Sequence, residues 1–138
     1  MILVVDDYPD SAQVLFLLLR KHGYPAQVVN SGPEALAAIR AHPREQPLLV
    51  ILDDMMPEMT GMETLRAIRA DASIASTPVM FYTAGFDIAK RDEAMALGAR
   101  AWLFKGRDMP TLVQEVSHLY EAVGGAKTIG PDHVSLTP

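Results

Sequence analysis

The sequence predicts an α/β fold, an open doubly wound sheet of five parallel strands with helices on both faces. Three observations carry that expectation. Five short runs, rich in β-branched or aromatic residues and mostly bounded by turn or polar residues, recur along the chain. Each is followed by a longer stretch with helical signals, and such alternation implies parallel strands joined by right-handed crossovers. The runs at 48–52 and 79–82 are apolar throughout, as expected of parallel strands covered on both faces.

In order, Ile2–Val5 reads as the first strand and about 9–22 as the first helix, with Gly23 where a left-handed residue ends a helix. Ala26–Val29 is the second strand. Asn30-Ser31-Gly32 leads to Pro33, which suits the first turn of a helix over 33–41. Residues 48–52 form the third strand and 62–71 the next helix; 79–82 form the fourth, followed by a helix over 87–97 that Gly98 closes. The last strand is 101–104. Asp108 is placed to cap the final helix, 109–123, just ahead of Pro110. Leu112, Val116, Leu119 and Val123 fall on one apolar stripe of that helix. From Gly124 the periodicity stops and Gly, Pro and polar residues take over. The expected organisation is one folded domain over 1–123 and a tail or linker start over 124–138.

Composition narrows the function. The chain has 138 residues, 12 basic and 17 acidic, for a formal net charge of −5. That balance argues against nucleic acid as a partner, because phosphate backbones select basic surface. No cysteine is present, which excludes disulfides, thiolate metal sites and a cysteine nucleophile. The longest apolar run, 14–19, is far short of the ~20 residues that span a bilayer, so no membrane partner is expected. No signal-peptide pattern opens the chain. The expected setting is cytoplasmic.

In open α/β sheets ligands bind outside the carboxyl ends of the strands, so residues directly after each strand carry the information. Asp6 and Asp7 follow the first strand, Asp53 and Asp54 the third, Thr83 the fourth and Lys105 the fifth. Only the second ends blandly, in Asn30-Ser31-Gly32. Carboxylates crowded on one rim repel each other, and a divalent cation relieves the penalty. An all-oxygen donor set suits magnesium, or manganese in its place. A lysine and a hydroxyl facing that cation make a site for a phosphoryl group, and a carboxylate can itself be the nucleophile, giving an acyl phosphate. Taken singly these residues have plainer roles: Asp7 or Asp10 as a helix cap, Thr83 bonded to backbone, Lys105 as a solvated charge. Convergence of four strand ends on one chemistry outweighs the plainer roles. Adjacent strand residues point to opposite faces, so only one of Asp53 and Asp54 can meet Asp7.

The segments ILVVDD at 2–7, VILDDMMPEMTG at 50–61, VMFYTAG at 79–85 and GARAWLFKG at 98–106 resemble the receiver domain of bacterial two-component response regulators. The likeness covers about 1–123 and implies a flavodoxin-like, chemotaxis-receiver-like fold with strand order 2-1-3-4-5. It implies that Asp53, four residues before Pro57, accepts a phosphoryl group from a histidine kinase or phosphotransfer protein. Asp7, Asp53 and the Met55 carbonyl would ligate magnesium, with Asp6 acting through water. Thr83, Lys105 and the Ala84 amide would bind phosphate oxygens, and Thr83 and Trp102 would form the switch. Such a protein is a signalling phosphoacceptor rather than an enzyme, at most phosphorylating and dephosphorylating itself. Its phosphorylation would change how the face of helix four, strand five and helix five binds a downstream protein.

Three positions depart from the family pattern. Trp102 stands where Tyr or Phe is usual, Gly106 where proline commonly follows the lysine, and Thr60 in place of a frequent Asp or Asn. A non-proline cis bond costs about 2.5–4 kcal/mol, so Lys105-Gly106 is expected to be trans and Lys105 to be held less firmly. On that basis Gly106→Pro is expected to tighten binding at the site. Of the methionines near Pro57, only Met55 has an expected role, through its backbone. The four histidines share no spacing that marks a metal site. The alternative reading is a phosphorylation-independent scaffold with the receiver fold, for which Gly106 is the only support. A haloacid-dehalogenase-like phosphatase would want Asp-x-Asp after the first strand, which Asp6-Asp7-Tyr8 does not supply. Either a stand-alone regulator or one receiver of a longer protein fits.

Overall fold

The computed structural model describes residues 1–123, and the expected tail or linker start at 124–138 lies outside the described residues. Strands and helices alternate without exception. They are β1 (Ile2–Val5), α1 (Pro9–Lys21), β2 (Ala26–Val29), α2 (Gly32–Ala41), β3 (Leu49–Leu52), α3 (Gly61–Ala70), β4 (Val79–Thr83), α4 (Ile88–Ala96), β5 (Trp102–Phe104) and α5 (Met109–Ala122). All strand pairs are parallel, in the order β2-β1-β3-β4-β5 that the resemblance implied.

Side-chain alternation splits the core into two layers. Leu3, Val5, Val50, Leu52, Val79, Phe81 and Trp102 pack toward α2, α3 and α4. Ile2, Val4, Leu49, Ile51, Met80, Tyr82 and Leu103 pack toward α1 and α5, where Leu15, Leu19, Leu112, Val116 and Leu119 meet them. Every residue of β1, β3 and β4 is buried, which accounts for their unbroken apolar runs. Met56 and Met62 are core residues, while Met55 is exposed.

Helix starts show which acidic residues are free for other work. Ser31 caps α2 by accepting the Glu34 N–H, and Thr60 forms a capping box with Glu63 at α3, so the Thr60 departure is structurally sound. Asp87 caps α4. α1 begins at Tyr8 with no side-chain cap, so neither Asp7 nor Asp10 is used there. Asp108 corrects an expectation. It occupies the N-cap position of α5, but its carboxylate accepts the Phe104 N–H at 2.8 Å and pairs with Arg107. Its φ and ψ of −99° and 18° are not the extended geometry that aims a capping oxygen into the helix.

Candidate functional site

The sheet ladder runs on past the strand ends and fixes the site backbone. Asp6 N–H donates to Val29 C=O, Asp53 N–H to Val5 C=O, and Lys105 N–H to Thr83 C=O, at 3.0–3.1 Å. β1, β3 and β5 therefore deliver Asp6, Asp53 and Lys105 side by side at the carboxyl edge. The Lys105 ammonium lies between two carboxylates, 2.8 Å from Asp6 Oδ2 and 3.0 Å from Asp53 Oδ2. Asp53 Oδ1 accepts the Thr83 hydroxyl at 2.8 Å and the Met55 N–H at 3.1 Å. Asp6 Oδ1 accepts the Tyr8 N–H at 2.9 Å.

Asp6, Asp53 and Thr83 are buried, Asp7 and Lys105 partly so, and Ala84 and Met55 are exposed on the rim. Burial pushes the Asp53 carboxyl above its ordinary value; the Thr83 hydroxyl and the Lys105 ammonium hold it back, and the Asp6 charge adds to the rise. For Lys105 burial acts downward, but its bonds to Asp6 and Asp53 outweigh it, and the ammonium is held above its ordinary value. Each of Asp6, Asp7 and Asp53 offers an oxygen within 4.8 Å of the others. One lysine against three carboxylates leaves negative charge uncompensated, and an all-oxygen set of this kind fits a hard divalent cation such as magnesium.

The structure thus brings together Asp6, Asp7, Asp53, Thr83 and Lys105, and sets the Met55 N–H beside them; Ala84 follows Thr83 in the chain. Asp54 turns to the other face of the sheet, as alternation requires. It accepts the Met62 N–H and pairs with Lys90 of α4. Trp102 lies in the α2–α4 layer, stacked on Phe81 at 4.7 Å, its buried indole N–H without a partner.

Two contributions escaped the sequence. The end of β2 is not bland: Asn30 Nδ2 donates to the Asp6 carbonyl at 3.2 Å, and its place directly after a strand was the available signal. The Tyr82 hydroxyl accepts the Gly106 N–H at 2.8 Å and anchors the turn after Lys105. Nothing in the sequence marked that contact, because it depends on the path of the β5–α5 loop.

That loop reverses the expectation for Gly106. The Lys105–Gly106 bond is trans, as expected, but Lys105 is held by two carboxylates rather than loosely. Gly106 sits at φ 80°, in the left-handed region, where proline's fixed φ near −65° is excluded. Proline also removes the N–H that Tyr82 accepts. Gly106→Pro is therefore expected to lower stability by about 1–3 kcal/mol and to weaken binding at the site, not tighten it. Chemical denaturation of the two proteins checks this; a variant as stable as wild type refutes it.

A parallel α/β sheet whose carboxyl edge gathers three carboxylates, a threonine and a lysine defines the receiver class of signalling domain. The family model described as the response regulator receiver domain matches residues 2–117, and the chain belongs to that family. The DNA-binding response regulator MtrA of Mycolicibacterium smegmatis is 36% identical over 115 residues, 83% of this chain and 48% of MtrA. Protein PilH of Pseudomonas aeruginosa is 30% identical over 116 residues, 84% of this chain and 93% of PilH. The solved structure of response regulator TrrA from Thermotoga maritima in complex with Mg(2+)-BeF superposes with a TM-score of 0.72 at 29% identity, covering 86% of this chain and 96% of TrrA. The chain spans about half the length of MtrA, and the DNA-binding description belongs to that longer relative. The acidic balance read above therefore speaks for these 138 residues alone. No helix among the described residues is long and apolar enough to cross a membrane.

Proposed function

We propose that this chain is the phosphoacceptor receiver of a two-component system, taking a phosphoryl group from a histidine kinase or phosphotransfer protein onto Asp53. The observation that carries this is the Asp53 carboxylate itself, held from three sides by Thr83, Met55 N–H and Lys105, and bordered by Asp6 and Asp7. A carboxylate oxygen attacks phosphorus, the donor's leaving group departs, and an acyl phosphate forms. Lys105 and Thr83 then turn from the carboxylate to the phosphoryl oxygens, with the Ala84 N–H as a further donor. Asp6, Asp7, Asp53 and the Met55 carbonyl would hold magnesium, with manganese as a substitute. The ion would supply charge neutralisation, consistent with the magnesium-bound TrrA relative.

The test is phosphoryl uptake from a small phosphodonor with magnesium, followed by intact mass. Wild type is expected to gain one phosphoryl group and Asp53→Asn none; equal uptake by the variant sinks the assignment.

The output face proposed is α4, β5 and α5, where Phe86 and Ile88 stand exposed and Phe86 meets Phe104 at 5.4 Å. Trp102 lies on the inner side of that face and is the only tryptophan. Withdrawal of Thr83 toward a phosphoryl group would alter the packing around it, and its indole N–H has no partner to lose. Magnesium with beryllofluoride is therefore expected to shift the intrinsic fluorescence of wild type but not of Asp53→Asn. An unchanged spectrum at demonstrated saturation identifies Trp102 as a fixed core residue.

A further inference from the structure

α4 is attached to the domain differently from the other described helices. Ala94 is its one buried residue, so apolar packing holds little of it. Instead a row of charged contacts runs along one side. Lys90 pairs with Asp54 at 3.0 Å, Glu93 makes a two-bond pair with Arg66 at 2.6 and 2.7 Å, and the Leu97 carbonyl accepts from Arg69 at 2.6 Å. The Arg66–Glu93 pair is open to solvent on both sides and contributes little to stability. The Lys90 contact differs because its partner is buried, with only 4% of the Asp54 side chain exposed.

Asp54 also organises the loop that borders Asp53. Its carboxylate accepts the Met62 N–H at 3.0 Å, and its carbonyl accepts the N–H groups of Met56 and Gly61 at 2.9 and 3.1 Å. Both ends of the segment from 54 to 62 are thus gathered on one residue. The Met55 N–H that this segment presents donates to Asp53 Oδ1. Without its cation the Asp54 carboxylate would be an unpaired buried charge, and the cost of that would bear on the whole arrangement. Lys90 supplies the cation, and its hydrogen bond to Asp54 holds the ammonium above its ordinary value.

We propose that Asp54 is a positioning residue for Asp53 and that the Asp54–Lys90 pair is the tether coupling α4 to the phosphoacceptor site. The proposal rests on the phosphoacceptor role of Asp53. Coupling through one contact must act in both directions: loosening α4 weakens ligand binding at the site, and ligand at the site steadies α4.

The test uses the full chain with magnesium and beryllofluoride. Bound fluoride is read by 19F NMR and α4 by amide hydrogen exchange over 88–97. Wild type is expected to bind and to slow exchange in α4. Lys90→Met is expected to bind at least about fivefold more weakly, with α4 exchange faster and no longer slowed by ligand, while β1 and β3 amides stay protected. Lys90→Arg keeps a cation for Asp54 and should stay within about twofold of wild type. The double variant Asp54→Asn/Lys90→Met leaves no buried charge unpaired and retains an acceptor for Met62, so it should fold yet show the same loss of coupling. Failure of wild type to bind overturns the phosphoacceptor role and this proposal with it. Binding by wild type together with wild-type affinity or wild-type α4 response in either uncoupled variant overturns the tether alone.

Discussion

Lys105→Met is expected to be about 2 kcal/mol less stable than wild type in magnesium-free buffer, and to recover most of that loss when magnesium is added. The ammonium stands between Asp6 and Asp53, whose side chains are 6% and 5% exposed, with Asp7 alongside. Without it two buried carboxylates face each other with no cation. Breaking a buried pair costs about 3–5 kcal/mol; the one-fifth exposure of Lys105 and the option of taking up a proton reduce that figure. A divalent cation restores the missing charge. Magnesium should therefore raise the melting temperature of the variant more than that of wild type, the reverse of what a general packing defect would give. Thermal unfolding with and without magnesium decides it. Equal magnesium effects in the two proteins would mean that the lysine and the cation do not share these carboxylates. Phosphoryl uptake with magnesium should also fall in the variant, because among the described residues no other cationic side chain pairs with Asp53.

Gly61→Ala should cost about 1–3 kcal/mol and disturb the site as well. A Cβ at Gly61 would lie 2.5 Å from the Asp53 carbonyl oxygen and 2.8 Å from Asp54 Cα. Both are backbone atoms, so no side-chain rotation relieves the clash. The loop must move, carrying Met55 and Asp54 with it. Alanine's helix propensity offers at most about 1 kcal/mol in return, and less at the first helical position. Gly85→Ala is the matched comparison. Its Cβ would meet the Met55 sulfur at 2.8 Å, the far part of an exposed, flexible side chain, so the change should be tolerated. Denaturation midpoints and phosphoryl uptake measured on both variants check the pair; a stable, fully active Gly61→Ala protein would show that the loop has room the structure denies it.

Much of this molecule was written along the chain. Short apolar runs and helical patterning placed every element within a residue, because wholly buried parallel strands can only be runs such as Leu49–Leu52 and the helix ends carried Pro33, Gly23 and Gly98. Asp6, Asp53, Thr83 and Lys105 were legible for the same reason: a residue directly after a parallel strand has one place to go, the carboxyl edge. Alternation even separated Asp53 from Asp54.

Contacts that depend on the path of a loop or on which helix leans where were decided only in three dimensions. Asp108 had the right residue type for a cap but the wrong backbone angles, and turned to Phe104 instead. Gly106 was read through a missing proline, whereas its left-handed φ and the Tyr82 hydroxyl 24 residues away set its role. Lys90 and Asp54, 36 residues apart, meet because α4 lies alongside α3 and the loop that leads into it. The physical division is one of range. Burial and backbone hydrogen bonding repeat with a fixed period and leave a local pattern, while a single polar contact between distant loops has no period and leaves none.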